Sequence, residues 1–285
     1  DVAVEAATAA NPERPVEAGK AWREMIHRYF AGTLVLLGLF IAFVSYKVRQ
    51  ESAAARGDLA IASGGVALLF AQAIMGMLTV IWLVNPLIVT GHLIMGMSTA
   101  VLFWYLHLRQ RNFLTVIAAK PLRMLGVVGL VVLVMQILLG GWTSTNYAAL
   151  ACTDFPKCHG QWVPNLDVGE ATRIWRGLGV DYEGGVLDSD ARVTIHFFHR
   201  VGAIVAAVTL LILGIASLRA SIAGALRSVS ILLLVLLGLQ VTLGILNVVL
   251  HLPLVIAVAH NGVAALLLLT VVTLNYLLWS PRLRA

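Results

Sequence analysis

Four histidines, His27, His92, His199 and His260, recur in a duplicated frame. His92 and His260 stand at an offset of 168, as do Gln72 and Gln240, and Gly76 and Gly244. His27-Arg28 and His199-Arg200 stand at an offset of 172, and Pro86 matches Pro253 with one residue of slip. Each histidine lies a turn or two inside an apolar run. At 1.5 Å per residue that is roughly 6–10 Å below the membrane surface, the same depth for all four. Ionisable groups inside a bilayer are rare and tend to be functional. One such histidine is as well explained by a hydrogen bond between helices. Four at one depth in a repeated frame favour ligation. Zinc asks for three or four converging His, Cys or carboxylate groups, whereas two histidines from neighbouring helices suit the axial positions of a haem iron.

The residues around the histidines sort into similar choices. Arg28 and Arg200 follow their histidines directly; they either pair with haem propionates or snorkel to the interface. Gly32, Gly91, Gly96, Gly202 and Gly262 either make room for a flat macrocycle or serve close helix packing. The copies differ at one telling place. Glu24-Met25-Ile26-His27 matches His196-Phe197-Phe198-His199, so a carboxylate stands where the other copy has a histidine. Beside a haem edge Glu24 could relay protons or stabilise positive charge; otherwise it is a first-turn acid or a partner of Arg28. Cys152 and Cys158 share one polar loop, where a structural or redox-active disulfide is expected. Trp142, Trp162 and Trp175 cap a haem or sit at the interface.

These residues need helices to carry them. Of the 285 residues 60% are hydrophobic and only 12% charged, with mean hydropathy +0.90, which excludes a soluble domain and indicates an all-α polytopic membrane protein in the lipid bilayer. Seven spans are predicted, at about 23–46, 60–84, 87–108, 122–143, 194–218, 228–250 and 254–279. The net charge of +6 is an orientation signal and not a nucleic-acid one. Lys47, Arg49, Arg56, Arg109, Arg111, Lys120, Arg123, Arg219, Arg227, Arg282 and Arg284 mark cytoplasmic loops and a cytoplasmic C-terminus. The 144–193 loop, with seven acids against four bases, is extracytoplasmic. The polar start is not a signal peptide and lacks an initiator Met, as in a processed or truncated form. Subtracting the repeat offset from helix 122–143 and its loop falls before residue 1. An eight-helix parent of two pseudo-symmetric four-helix bundles in parallel repeat is therefore expected. The halves are 1–112, with three helices, and 113–285, with four.

REMIHRYFAG at 23–32, PLIVTGHLIMG at 86–96, QILLGGWTSTNYAALACTDFPKCHGQW at 136–162, IHFFHR at 195–200 and AHNG at 259–262 together resemble haem A synthase, of the proteobacterial and mitochondrial type. That resemblance implies an oxygen-dependent enzyme of the bacterial cytoplasmic membrane. It would oxidise the C8 methyl of haem O to the formyl of haem A by successive hydroxylation. It further implies that His27 and His92 ligate haem O or haem A in a catalytic N-terminal half, and that His199 and His260 hold haem B. Glu24 matches a carboxylate implicated in catalysis, and Cys152 and Cys158 match the second extracytoplasmic cysteine pair. The family's first helix and first cysteine pair have no counterpart here. Implied partners are a haem O synthase and cytochrome oxidase assembly factors; the electron donor and a homo-oligomeric state stay open. The alternatives are a dihaem b-type electron carrier, disfavoured because both histidine pairs lie on one side, and a transporter, disfavoured by the lack of midplane acids or broken helices.

Overall fold

The computed structural model describes residues 17–111, 119–177, 179–221 and 224–279. The polar start up to residue 16 and the tail arginines Arg282 and Arg284 lie outside the described residues. Among the described residues eight helices are formed: α1 Ala18–Val48, α2 Ala53–Ile81, α3 Pro86–Arg109, α4 Lys120–Thr145, the short α5 Val168–Ala171, α6 Ser189–Ala220, α7 Ala225–Val249 and α8 Leu254–Trp279. All but α5 are long and apolar enough to cross a membrane. The seven predicted spans are thus present in a multi-pass helical protein. α2 and α6 begin several residues earlier than their apolar runs, because the polar residues at 53–59 and 189–193 continue the helix beyond them. Apolarity marks membrane depth, not the end of a hydrogen-bond ladder.

The chain divides into two compact units, Asp1–Ala73 and Ile74–Ala285. In the first unit α1 carries its charges at its two ends, with an apolar run between them. Phe30, Leu36, Phe40 and Phe43 are exposed, the pattern of a helix wetted by lipid. Lys47 closes its last turn, complementing the carbonyl end of the helix dipole.

In the second unit α4, α6, α7 and α8 share one core of Leu133, Ile137, Leu210, Leu213, Leu233, Leu267, Val271 and Leu274, joined by Leu108 of α3. In lipid, association of helices rests on close packing and interhelical hydrogen bonds, not on hydrophobic expulsion. Both are seen. Asn275 Nδ2 donates to Gly126 O at 2.9 Å, tying α8 to α4, and Trp104 Nε1 donates to Thr273 Oγ1 at 2.8 Å, tying α3 to α8. A Cβ at Gly126 would come within 2.8 Å of Asn275 Oδ1, so the close approach requires glycine there.

The duplication is visible in the backbone. Leu83 and Val84 both take positive φ, and so do His251 and Leu252. Val84 N–H donates to Thr79 O and Leu83 N–H to Val80 O; Leu252 N–H donates to Asn247 O and His251 N–H to Val248 O. Every residue of one turn maps onto the other at the offset of 168. Each turn satisfies the terminal carbonyls of its helix as a left-handed C-terminal motif does. Asn85 then caps α3, its Oδ1 accepting from Leu87 N–H at 3.0 Å, with Pro86 at the first helical position.

The loop between α4 and α6 is folded, not slack. Trp142 Nε1 donates to Ala171 O at 3.0 Å. Ala148, Ala171, Leu187, Ala191 and Ile195 close a small apolar cluster around that indole. Tyr182 N–H donates to Leu83 O at 3.2 Å, and Trp175 meets Trp82 edge-on at 5.9 Å, so the loop fastens to the α2–α3 turn.

Candidate haem-ligand site

His199 stands on α6 and His260 on α8. Each ring is seated by a glutamine and a glycine from the preceding helix of the pair. Gln136 of α4 places Nε2 3.1 Å from His199 Nδ1 and donates from the same nitrogen to His199 O at 3.1 Å. Gln240 of α7 places Nε2 3.2 Å from His260 Nε2. A Cβ at Gly140 would sit 3.2 Å from His199 Cε1, and one at Gly244 3.1 Å from His260 Cε1. The rings therefore lie directly on backbone. His92 of α3 has the same seat: a Cβ at Gly76 would sit 3.1 Å from its Cε1.

The ring-seating glycines are thus on the neighbouring helices. Of the glycines beside the histidines in sequence, Gly262 faces open space and Gly202 gives way to Gln136 Oε1. Gln136, Gly140, Gly76 and Gly244 form a recurring Gln-x-x-x-Gly signal, present at Gln72-Gly76, Gln136-Gly140 and Gln240-Gly244. The repeat exposed the first and third. The second is the one that inspection of the repeat passes over.

A pair of imidazoles is a donor set that suits an iron cofactor. His260 Nδ1, Gln136 Oε1 and Gln240 Oε1 are buried without hydrogen-bond partners among the described residues, an arrangement that is costly unless something further completes it. The close glycines let backbone approach the Cε1 edges of the rings. Among the described residues no three of His, Cys, Asp and Glu gather to hold a metal ion, so a zinc centre of three or four protein ligands is not formed by them.

The two copies of the Arg-bearing turn behave differently. In the first unit Arg28 Nη2 pairs with Glu24 Oε1 at 2.5 Å, with both side chains exposed. His27 is exposed on the same helix. Glu24, Arg28 and His27 belong to the first unit and His92 to the second, each described within its own. In the second unit the residue four before the arginine is His196, which is buried. Cys152 N–H donates to His196 Nδ1 at 3.2 Å. Arg200 Nε likewise stands 3.2 Å from His196 Nε2; a neutral imidazole has one acceptor nitrogen, so it takes one of these two donors at a time.

Arg200 itself reaches the cysteine loop. Nη1 donates to Lys157 O and Nη2 to Cys152 O, both at 2.8 Å. Cys152 and Cys158 are joined in a disulfide and buried against Val193. Asp154 braces the far side of the loop, accepting from His159 N–H at 2.7 Å and Gly160 N–H at 2.9 Å. The Gly160 amide first, then the His159 amide, hold its carboxyl below the ordinary 3.8. Trp142 is committed to Ala171, Trp175 to Trp82, and Trp162 is exposed with Lys157 Nζ 5.7 Å from its ring.

Arg200 therefore bolts the disulfide loop to the residue beside His199. Removing it leaves two carbonyls without their charged donor, at roughly 1.5–3 kcal/mol for a hydrogen bond to a charged group. Arg200→Ala is expected to lower the thermal midpoint in detergent. It should also speed dithiothreitol reduction of the buried disulfide by about tenfold, since reduction must wait for the loop to open. An unchanged reduction rate would show that the loop is held elsewhere.

The description "Cytochrome oxidase assembly protein" (COX15-CtaA) matches residues 1–272. The haem A synthase of Shewanella oneidensis is 48% identical over 271 residues, covering 94% of this chain and 79% of that protein. That of Rhizorhabdus wittichii is 27% identical over 166 residues, 58% of this chain and 44% of that protein. That of Nitrosospira multiformis is 29% identical over 142 residues, 50% of this chain and 37% of that protein.

Proposed function

The chain belongs to the COX15-CtaA family of cytochrome oxidase assembly proteins and is an enzyme of that family; on that premise we propose that it is a haem A synthase, oxidising the C8 methyl of haem O to the formyl of haem A. The observation that carries the proposal is the pair His199 and His260, each ring laid on a glycine and met by a glutamine, in a frame that His27 and His92 repeat in sequence.

His199 and His260 would hold a resident haem B in the C-terminal half, 113–285. When bound, that haem supplies one-electron redox chemistry. His27 and His92 would hold the substrate haem in the N-terminal half, 1–112. Methyl-to-formyl conversion removes four electrons from carbon, and two hydroxylations by oxygen followed by loss of water account for them, with reducing equivalents from a donor outside the chain. Glu24 Oε1 takes up or delivers protons during those steps. Arg28 pairs with that carboxylate at 2.5 Å, and its remaining N–H donors would serve a propionate of the same haem. Arg200 holds the disulfide loop and would lend its charge to a propionate of the resident haem. The protein would lie in the bacterial cytoplasmic membrane, with the 144–193 loop outside. It would receive haem O from a haem O synthase and pass haem A to cytochrome oxidase assembly.

Acid-acetone extraction of the purified protein, followed by reverse-phase separation, tests this. Haem O, its hydroxylated form or haem A is expected beside haem B, and haem A is expected to accumulate on co-expression with a haem O synthase. Haem B alone, with no haem A on co-expression, would instead support a dihaem electron carrier.

A further inference from the structure

We propose that Gln136 is the positioning residue of the resident haem, fixing the ring of His199 so that Nε2 is the nitrogen offered to the iron. This rests on the assignment of His199 as an axial ligand and adds the residue that acts through it.

Two contacts meet that ring, and a third position makes room for the amide. The Gln136 amide nitrogen bridges His199 Nδ1 and the carbonyl of the same residue, each at 3.1 Å. One amide thus ties the ring to its own backbone and restrains its rotation. Gly140, one turn along α4, presents bare backbone to Cε1, where a Cβ would stand at 3.2 Å. Gly202 of α6 clears the other side of the amide, since a Cβ there would strike Gln136 Oε1. With Nδ1 engaged and Cε1 against α4, Nε2 is the ring nitrogen that Gln136 does not engage. The frame at Gln240 does not do this: there the amide meets Nε2 of His260 and makes no bond to its carbonyl. The proposal is therefore made for Gln136 alone.

The orphaned oxygen tells how the amide would work in the loaded protein. An imidazole that gives Nε2 to iron carries its proton on Nδ1, and that proton needs an acceptor. Gln136 Oε1 is buried without a partner among the described residues. Amide orientation is assigned from the surrounding network; turning the amide over brings this oxygen onto Nδ1 and gives up the donation to His199 O, so in the loaded protein the amide holds the ring through Nδ1 alone. A better acceptor at this place makes the imidazole a stronger donor and favours ferric over ferrous iron. A missing acceptor does the reverse.

The test uses the full chain carrying Gln136→Glu or Gln136→Leu, with redox titration of the resident haem B and its low-spin EPR signal. Gln136→Glu is expected to lower the midpoint and Gln136→Leu to raise it. Each should shift the ferric-to-ferrous ratio about tenfold, which is 59 mV for one electron. Haem B retained in both variants with unchanged midpoint and EPR signal would overturn the proposal. So would loss of haem B from both with helix content intact, since Gln136 would then hold the site's packing and not the ring's hydrogen bond. His199→Ala separates this from the ligand assignment. If that variant keeps the same low-spin signal, His199 is not the ligand. If it loses the signal while the Gln136 variants match wild type, only the positioning role fails.

Discussion

Glu24→Ala is expected to cut the conversion of haem O by about 100-fold or more while haem B stays bound in the C-terminal half, the effect of losing a positioned proton-transfer group. The physical case rests on what the carboxylate is not doing. Glu24 pairs with Arg28 one helical turn away, and both side chains are half or more exposed. Exposed pairs of this kind contribute about 0–1 kcal/mol to stability, so the variant should fold and melt close to wild type. At the same place in the other copy stands His196, buried and bonded to the Cys152 amide. The structural job of the position is therefore done by a histidine in one half and is absent in the other. What Glu24 adds is a charged acceptor one turn from His27. Glu24→Gln keeps the size and loses the base, so it should fail as alanine does; Glu24→Asp should recover part of the rate. Haem A formation within a few-fold of wild type in the alanine variant would remove Glu24 from the mechanism.

How much of this was legible in advance differs by residue. The seven spans were, because a bilayer forbids unsatisfied backbone and so forces long apolar helices. The helix starts were not, since α2 runs back through Arg56 and Asp58 and α6 through Asp190 and Arg192, polar residues that continue a helix without crossing lipid. The histidine frame was legible because it occurs twice, and the matched left-handed turns at 83–84 and 251–252 carry the same offset into the backbone. The partners of Arg200 were not. They are the carbonyls of residues 43 and 48 positions away, and a backbone carbonyl has no sequence signature. Gln136 and Gly140 were missed for a related reason: at either offset they repeat no residue of this sequence, so only the spacing shared with Gln72-Gly76 and Gln240-Gly244 could have raised them.

His260→Ala and His92→Ala are expected to remove different pigments, and that contrast bears on the division of labour between the halves. His260 rests on Gly244 and His92 on Gly76, with each Cε1 3.1 Å from where a Cβ would stand, so alanine in place of either ring leaves a gap and no replacement ligand. Changes to groups that merely orient a metal ligand commonly cost 10–100-fold in affinity, and loss of the ligand itself should cost at least that. Purified His260→Ala should hold less than about a tenth of the wild-type haem B yet keep haem O or haem A. His92→Ala should show the opposite loss. The low-spin signal of the resident haem should vanish only in the first. Helix content should be retained in both, since neither ring belongs to the leucine core that joins α4, α6, α7 and α8. If both variants lost the same pigment, the two histidine pairs would serve one shared haem, and the duplication would reflect ancestry without a division between resident and substrate sites.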